Sequence, residues 1–336
     1  MKILFGINGE GMGHAVRSEV IIDELQKEHK IKVVAGGKAY NFLNKSFNTS
    51  KIGFFKIIYR NNAVSYSFTF LHNLLKFPFM FLYNLKLIPI MLSFNPDIVI
   101  TDLEPFTCYL ALLFHKKCIS IDNQHIINTR LNTGKSILDK IIIRALTIKA
   151  NQYLVTTFFY PPVAKKRTYL FPPINRKKIL EAKPQEKDFI LVYQTSKSDK
   201  KLIPQLSQLS HRSIVYGLDK NTTISNVQLK KANEEEFIKD LVSCKAVITN
   251  GGFTLIGEAL HLNKPILSVP VKRQFEQIRN AIYLNRLGYG KYCKEISKKN
   301  IENFLSNIKQ YKTNLKKYKK EDNSKILKKL KELISC

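Results

Sequence analysis

AVITNGGFTLIGEALHLNKPILSVP, residues 246–270, decides the fold because it contains one complete β-α-β unit. An apolar, β-branched run leads into Gly251-Gly252, a helical pattern begins near Thr254, and a second apolar run ends at Pro270. Short buried strands that alternate with helices are typical of parallel sheets. The stretch therefore predicts an α/β architecture.

The same alternation continues along the whole chain of 336 residues. Strand-like runs are KILFGIN, IKVVAGG, PDIVITD, KCISID and NQYLVT in the first half, and DFILVYQ, HRSIVYG, KAVITNGG and NKPILSVP in the second. A stretch rich in proline and charge separates the halves. We predict two doubly wound, Rossmann-like domains at 1–160 and 188–312, a linker at 161–187, and a basic C-terminal helix at 313–336 that packs back across the domains. Ligands of such folds bind at the carboxyl ends of the strands, so a cleft facing both domains is expected.

Composition restricts the partners and the compartment. The chain has 55 Lys+Arg against 26 Asp+Glu, a net charge of +29, which favours a polyanionic partner or an anionic surface. Its five cysteines include no C-x-x-C pair, so neither a disulfide framework nor a zinc site is indicated. MKILFGING lacks the apolar region of a signal peptide. We expect a cytoplasmic protein.

The opening loop, FGINGEGMGHAVRS at residues 5–18, places Gly9, Gly11 and Gly13 between a strand and a helix. Bare backbone amides at a helix N-terminus favour an anion, whereas a tight turn that only lets the helix pack is the alternative. The pattern begins like a dinucleotide fingerprint. However, the second strand ends in Ala-Gly-Gly instead of an acidic residue, and His14 replaces the third fingerprint glycine.

His14 is the candidate general base. The helix dipole disfavours its charged form, so we expect a neutral imidazole near pH 7. Asp102, at the end of PDIVITD, follows a neighbouring strand and is the candidate partner that orients the ring. Asp102 could instead cap the helix that starts at EPFTCYL, and Glu104 is a weaker alternative for the orienting role.

Polar residues of the second half form a candidate ligand site. Glu258 lies one turn into the helix after Gly251-Gly252, where it can accept hydrogen bonds from a diol such as a ribose. Gln274, Glu276 and Gln277 lie in the polar segment after Pro270. Taken singly, Glu258 could be an ordinary surface charge and the other three solvated loop residues.

The ordered set G-G-F-T-x-x-x-E, K-P-x-x-x-x-P and E-Q-x-x-N-A resembles the donor-binding half of GT-B glycosyltransferases. The nearest family is the bacterial one that contains the lipid II N-acetylglucosaminyltransferase, glycosyltransferase family 28; plant-type UDP-glycosyltransferases are further off. GINGEGMGHAVRS, PDIVITDLEP and SIDNQH are most similar to an uncharacterised bacterial and archaeal branch. The resemblance covers nearly the whole chain.

The resemblance implies roles by position. Glu258 is expected to bind the ribose. His14 falls where these enzymes place their catalytic base or acceptor-side histidine, and Asp102 matches the aspartate that orients it in the plant-type enzymes. The remaining implied donor-site residues are Gly11, Gly13, Gly251, Gly252 and Thr254 near the diphosphate, Glu276 and Gln277 on the sugar hydroxyls, and Gln274 beside them. The loop YQTSKS has no glycine, so Thr195 and Ser196 hydroxyls are expected to replace backbone donors, and Asn250 stands where plant-type enzymes carry a histidine.

The expected reaction is an inverting sugar transfer from a UDP-sugar, with UDP-GlcNAc first and UDP-hexoses next. The sequence contains no D-x-D triplet, so we expect neither a required metal nor another cofactor. Two alternatives remain, a UDP-sugar epimerase on the same fold and a non-catalytic polyanion-binding protein. Nucleic acid is not an expected partner, since no recognised RNA or DNA module accompanies the charge.

Residues 60–94 carry the signal for a membrane partner. From His29 to Pro96 there are nine Lys/Arg and no acidic residue, and within this stretch lies YSFTFLHNLLKFPFMFLYNLKLIPIMLSF. Basic and aromatic side chains on an apolar segment suit an anionic membrane interface. Lys76, Pro78, Lys86 and Pro89 argue against a spanning helix. We expect a peripheral protein on the cytoplasmic face with a lipid-linked or cell-surface glycan acceptor; an internal helix pair is the alternative.

Overall fold

The computed structural model describes residues 1–131, 150–196 and 198–335, which fold into two α/β units. The first unit comprises Met1–Ile57, Tyr66–Ile174 and Asp322–Cys336. The second comprises Ile58–Ser65 and Asn175–Glu321. Each unit contains a seven-stranded sheet, which confirms the predicted fold class of two Rossmann-like domains.

The sheet of the first unit has the strand order β3-β2-β1-β6-β7-β8-β9, and its paired strands run parallel. The strands are β1 Lys2–Ile7, β2 Lys30–Gly36, β3 Thr49–Ile52, β6 Ile98–Asp102, β7 Lys117–Asp122, β8 Gln152–Thr156 and β9 Thr168–Phe171. Parallel register pairs Ile7 with Asp102. The loop after β1 and the carboxyl end of β6 are therefore neighbours.

The first helix of this unit, α1, starts at Met12, two residues before the start predicted near His14. Among the described residues the helices of the unit are α1 Met12–Leu25, α2 Gly37–Leu43, α3 Tyr66–Asn84, α4 Leu87–Phe94, α5 Pro105–Leu113, the 3₁₀ turn Gln124–Asn128 and the C-terminal helix Ser324–Ser335. Ile326, Leu330 and Ile334 repeat every four residues on one face of that last helix and join the core beside the first sheet. The chain thus ends in its first unit.

Leu330→Ala tests this packing. We expect the free energy of unfolding to fall by about 2–5 kcal/mol, because a fully buried leucine is removed and a cavity remains. Lys328→Ala, at an exposed position of the same helix, should change it by less than about 0.5 kcal/mol. Urea unfolding monitored by circular dichroism measures both. Equal effects of the two variants would contradict the packing of this helix.

The helical segment of residues 66–94 is interrupted differently from the prediction. Pro78 lies inside α3, and Pro89 lies in the first turn of α4. The interruption falls at Leu85–Lys86, between the two helices. Proline is tolerated in a first turn, where its missing amide has no helical partner anyway. Pro89 is thereby compatible with α4, and α3 continues past Pro78 to Asn84.

The second unit has the strand order β12-β13-β11-β10-β14-β15-β16, parallel except for the antiparallel β12-β13 pair. The strands are β10 Phe189–Tyr193, β11 Arg212–Tyr216, β12 Thr222–Ile224, β13 Val227–Leu229, β14 Ala246–Thr249, β15 Ile266–Ser268 and β16 Gly290–Tyr292. Its helices are α6 Lys177–Leu180, α7 Leu202–Ser207, α8 Glu234–Ser243, α9 Phe253–His261, α10 Phe275–Arg286, α11 Lys298–Ser306 and α12 Ile308–Leu315.

A small hairpin from the N-terminal half of the chain also belongs to the second unit. Its strands are β4 Tyr59–Arg60 and β5 Ala63–Val64. The Val64 amide donates to the Lys272 carbonyl over 2.9 Å, and the Lys272 amide donates to the Asn62 carbonyl over 2.9 Å. The hairpin is thereby attached to the loop that precedes α10.

The predicted linker at 161–187 is divided between the two units. Thr168–Phe171 forms β9 and pairs in parallel with β8, so the chain leaves the first unit after Ile174. The larger segment of the second unit runs from Asn175 to Glu321, compared with the predicted 188–312. The prolines that suggested a linker include Pro172 and Pro173, which directly follow β9. They mark the end of a strand, and the boundary between the units follows directly, inside the predicted stretch.

Candidate active site

The carboxyl edge of the first sheet brings His14 and Asp102 together. Nδ1 of His14 lies 2.8 Å from Oδ1 of Asp102. His14 is 16% exposed whereas Asp102 is 1% exposed, so the ring is accessible and its partner is buried. A carboxylate behind an accessible imidazole is the geometry that orients a catalytic base.

Arg17 and Ser18, one turn along α1, complete the surroundings of Asp102. Arg17 donates from Nε to Oδ2 over 2.7 Å and from Nη2 to Oδ1 over 2.5 Å, and the Ser18 hydroxyl donates to Oδ2 over 3.1 Å. Burial favours the protonated acid, but Arg17 and His14 outweigh it and hold the pKa of Asp102 below its ordinary value. Asp102 therefore stays ionised at neutral pH.

The position of the proton on His14 determines what the ring can do. Nδ1 lies 2.8 Å from Nη2 of Arg17 as well as from Asp102. With a proton on Nδ1, the ring donates to Asp102 and leaves a lone pair on Nε2; with none, Arg17 donates to Nδ1 and Nε2 holds the proton. Only the first form makes Nε2 a base.

The start of α5 shows which of the two acids, Asp102 or Glu104, caps this helix and which lies beside His14. Glu104 is the N-cap residue of α5, and its carboxylate accepts from the amides of Phe106 and Thr107 over 2.9 and 2.7 Å. Asp102 is therefore not the cap, and Glu104 is engaged away from His14. Leu103 separates the two acidic residues in the chain. Its φ of +54° is strained for a leucine.

The glycines of the opening loop differ in their surroundings. A Cβ on Gly9 would lie 2.5 Å from the Gly36 carbonyl carbon and 2.7 Å from the Phe54 ring, so close packing requires this glycine. The same ring packs on Gly36 and Gly37, which explains why β2 ends in glycines. Gly11 is open, with only the His14 ring at 3.8 Å, and it precedes α1 without a side-chain cap. Gly13 lies in the first turn.

Glu10 is an acid of this loop to which the sequence drew no attention. Its carboxylate accepts from the Ile57 amide over 3.2 Å. Burial raises the pKa of Glu10 to about 7, although that hydrogen bond and the charges of Lys38, Lys56 and His14 oppose the rise. The sequence signal for Glu10 was its position as the one acidic residue of the glycine-rich loop, between Gly9 and Gly11.

A second aspartate and histidine pair lies at the end of β7, in SIDNQH. Asp122 accepts from the Ser120 hydroxyl over 2.6 Å, and His125 Nδ1 lies 2.6 Å from the same carboxylate. Burial alone would raise the pKa of Asp122, but His125 and these hydrogen bonds hold it well below its ordinary value. Both side chains are buried, so the pair stabilises the loop that brings Asn123 to Arg17.

In the second unit, Gly251 and Gly252 make the turn between β14 and α9. Gly251 has a φ of +94°, and a Cβ there would lie 2.9 Å from the Gln277 carbonyl oxygen, so only glycine fits. Gly252 has no atom within 4 Å of its Cβ position and precedes α9 without a side-chain cap. Thr254 lies in the first turn of this helix. A side chain at Gly252 would therefore meet open space.

Asn250 joins two neighbouring loops at the carboxyl edge of the second sheet. Its amide oxygen accepts from the Thr195 backbone amide over 2.7 Å, and its side-chain nitrogen donates to the Val269 carbonyl over 3.0 Å. Thr195 is exposed, whereas Ser196 is buried with its hydroxyl 2.7 Å from that of Ser198. Asn250 and Ser196 therefore shape the loops, and the Thr195 hydroxyl lies in a solvent-exposed residue.

The polar residues at the start of α10 also shape the site. Gln274 caps α10 by accepting from the Glu276 amide over 3.2 Å, and buried Gln277 accepts from the Val271 amide over 3.0 Å. Asn280 donates to the Gly251 carbonyl over 3.0 Å. These bonds fix α10 against the glycine turn, with Glu276 in the first turn of the helix.

Glu258 is held by an arginine from the predicted linker. Arg176 donates from Nε and Nη2 to the two carboxylate oxygens over 2.6 and 2.7 Å, and its Nη1 donates to Glu234 over 3.0 Å. Glu258 is thus a buried, bidentate partner and not an ordinary surface charge. Arg176 gave no sequence signal, whereas Arg17 follows His14 by three positions on one helix face.

Within residues 1–131, 150–196 and 198–335, no group of three His, Cys, Asp or Glu side chains could hold a metal ion. Whether the reaction requires a metal stays a prediction.

The predicted site residues fall into one set at the carboxyl edge of each sheet. His14, Asp102, Gly11 and Gly13 lie in the first unit.

A protein-family model described as glycosyl transferase family 1 matches residues 1–309. No protein with a curated function matches the chain in sequence.

Solved structures with the same fold are glycosyltransferases. Spinosyn forosaminyltransferase SpnP is 12% identical, with a TM-score of 0.69 over 100% of both chains. UGT2 of Phytolacca americana, complexed with UDP-2-fluoro-glucose and pterostilbene, is 14% identical, with a TM-score of 0.67 over 99% of this chain and 98% of that one. SnogD from Streptomyces nogalater is 15% identical, with a TM-score of 0.63 over 99% of both. This is the GT-B fold.

Proposed function

The chain belongs to glycosyl transferase family 1, and we propose that it moves a sugar from a UDP-sugar to an acceptor hydroxyl with inversion at the anomeric carbon. One observation carries the proposal. It is the accessible His14 ring in the first turn of α1, held at 2.8 Å by the buried Asp102. A base with a fixed partner is what activation of a hydroxyl needs.

His14 supplies the proton transfer. Nε2 accepts the acceptor's hydroxyl proton while the acceptor oxygen bonds to the anomeric carbon and the bond from that carbon to the UDP oxygen breaks. UDP leaves with the electron pair of the broken bond. Asp102 stabilises the resulting imidazolium, and Arg17 and Ser18 keep the carboxylate in place.

The second unit supplies the donor site. Glu258 accepts the ribose hydroxyls with the oxygen lone pairs that Arg176 leaves free, since each carboxylate oxygen accepts more than one bond. The open Gly252 at the start of α9 gives the diphosphate access to backbone amides and to the positive end of the helix dipole. No metal or other cofactor enters this proposal.

The donor sugar and the acceptor class rest on sequence resemblance. The likeness to the lipid II N-acetylglucosaminyltransferase family favours UDP-GlcNAc and a lipid-linked or cell-surface glycan acceptor. A UDP-hexose is the next candidate, because UGT2 of Phytolacca americana binds UDP-2-fluoro-glucose.

Calorimetry with UDP, UDP-GlcNAc, UDP-glucose, ADP and GDP tests the donor assignment. We expect saturable binding of the uridine nucleotides, weakened in Glu258→Gln by about tenfold or more, because hydrogen bonds to a charged group contribute about 1.5–3 kcal/mol. Absence of uridine nucleotide binding would contradict the donor site. Conversion of UDP-GlcNAc to an epimer without an acceptor would replace transfer by epimerisation.

We also place the protein on the cytoplasmic face of the membrane, docked through the apolar helix surface, a set of α3 residues at least half exposed. This set is Phe70, Leu71, Leu74, Leu75, Phe79 and Leu82. In α3 only Met80 and Asn84 are buried, which disfavours an internal helix pair. An exposed patch of six apolar side chains indicates a binding surface.

Peripheral docking suits α3 better than spanning does. By length and composition, Tyr66–Phe94 is apolar enough to cross a membrane. However, the Asn84 amide exchanges two hydrogen bonds with the backbone of Gly53, and Asn73 donates to the Lys56 carbonyl. These bonds attach one face of α3 to the unit and leave the other face for the lipid.

Vesicle sedimentation tests the docking. We expect tighter binding to vesicles with roughly one anionic lipid in three than to neutral vesicles, weakened by salt. Phe79→Ser should lower the partition coefficient about tenfold, because burial of one phenylalanine contributes about 1.5–3 kcal/mol. Ile224→Ser, at an exposed residue of the second unit, should leave it unchanged. Equal losses in the two variants would contradict this surface.

A further inference from the structure

Four phenylalanine rings form a continuous row in the first unit. Phe106 stacks on Phe55 with ring centroids 6.3 Å apart, Phe55 stacks on Phe77 at 6.4 Å, and Phe77 contacts Phe81 at 6.0 Å. The two stacked pairs are nearly parallel, with interplanar angles of 12° and 16°. We name these four rings the phenylalanine row.

The inner end of the row adjoins the opening loop and the end of β6. Phe106 is the second residue of α5, which begins three residues after Asp102, the last residue of β6. Phe55 precedes Lys56 and Ile57, and the Ile57 amide donates to Glu10, four residues before His14. The row therefore starts among the segments that position the candidate base.

The outer end of the row lies on α3. Phe77 is 43% exposed and Phe81 is 47% exposed, and both belong to the helix that carries the apolar helix surface. Phe55 and Phe106 are only half-buried. Stacked rings left open to solvent are not explained by packing of the core, and contiguous exposed apolar groups mark a binding site.

We propose that the phenylalanine row holds the apolar chain of the acceptor, a lipid phosphate whose head group carries the reacting hydroxyl. This inference rests on the proposed function. The hydroxyl lies at His14, and the chain extends past Phe55 and Phe77 to the lipid surface at α3.

The positive charge of this part of the chain and the length of the phenylalanine row favour a lipid phosphate as the ligand. The segment from His29 to Pro96 carries nine Lys/Arg and no acid, which complements an anionic phosphate. Lys38 and Lys56 act electrostatically on Glu10 at the inner end of the row. A flat, compact acceptor would cover one or two rings, whereas four rings leading onto an apolar helix match an extended chain.

Phe77 and Phe79 give a matched pair of variants. Both are exposed phenylalanines of α3, at 43% and 71%, and only Phe77 belongs to the row. Because both are exposed, the alanine variants should fold, which thermal unfolding checks. Phe77→Leu keeps an apolar side chain at the position.

The experiment is calorimetry with decyl phosphate, butyl phosphate and phenyl phosphate, in the absence of vesicles and with UDP present. We expect the parent to bind one decyl phosphate at least about tenfold more tightly than butyl phosphate, since each buried methylene adds to binding. Phe77→Ala should lose most of this preference, Phe77→Leu should keep most of it, and Phe79→Ala should match the parent within about twofold.

Three results would overturn the inference: equal losses in Phe77→Ala and Phe79→Ala, no dependence on chain length, or phenyl phosphate binding as tightly as decyl phosphate. UDP titration of the same samples separates this failure from failure of the proposed function. Intact UDP binding without chain selectivity contradicts the row alone, whereas loss of UDP binding in the parent contradicts the glycosyl transfer.

Discussion

His14→Gln is expected to lower kcat for sugar transfer by about 10²–10⁴-fold, the usual contribution of general acid–base catalysis. Glutamine occupies a similar volume and can still hydrogen-bond to Asp102, but it cannot accept the acceptor's proton. The ring is 16% exposed, so the fold should tolerate the change. UDP release at saturating acceptor measures the rate, and calorimetry should show unchanged UDP affinity.

Two further variants make this prediction specific. Asp102→Asn should also lower kcat, and it leaves the buried Arg17 without its carboxylate, so stability should fall as well. His115→Gln is a matched control, because this histidine follows α5 and lies outside the site. A His14→Gln enzyme that keeps a third or more of the parental kcat would remove His14 from the role of base.

Arg176→Met is expected to lower the free energy of unfolding by about 3–5 kcal/mol, because it leaves the buried Glu258 carboxylate without its cation. We also expect UDP affinity to fall about tenfold or more, since the carboxylate is no longer fixed toward the ribose. Arg176→Lys retains the charge but loses the two-pronged contact, so it should lie between Arg176→Met and the parent.

Glu234→Gln separates the two partners of Arg176. Glu234 pairs with Nη1 at 3.0 Å and is 37% exposed, so its removal should cost less than about 1 kcal/mol and leave UDP affinity unchanged. Urea unfolding and UDP calorimetry, both below the melting temperature, read the two effects separately. If Arg176→Met loses stability but binds UDP like the parent, the pair is structural and does not position Glu258 for the donor.

The nine strand-like runs of the sequence all contain strands, because short apolar runs rich in β-branched residues are a local signal. The juxtaposition of His14 and Asp102 follows from the same pattern. Parallel strands place their carboxyl ends at one edge, and the register of β1 with β6 sets Ile7 beside Asp102. That pair could be predicted without tertiary information beyond the parallel sheet.

Arg176 could not be predicted in the same way. It lies 82 positions before Glu258, in a proline-rich stretch that suggested a linker, and no periodicity relates the two residues. The strand Thr168–Phe171 in that stretch was missed for a similar reason, because four residues before two prolines give a weak local signal. Their pairing with distant residues exists only in the folded chain.

The face of α3 is the clearest division between sequence and tertiary structure. The sequence by itself determined that residues 66–94 are basic, aromatic and apolar, and that the chain alternates strands and helices. Only the tertiary structure decided that Asn73, Phe77, Met80 and Asn84 face the unit while Phe70 and Phe79 face outward. Composition fixes how much apolar surface a segment has, but the partners that bury part of it come from distant positions in the chain.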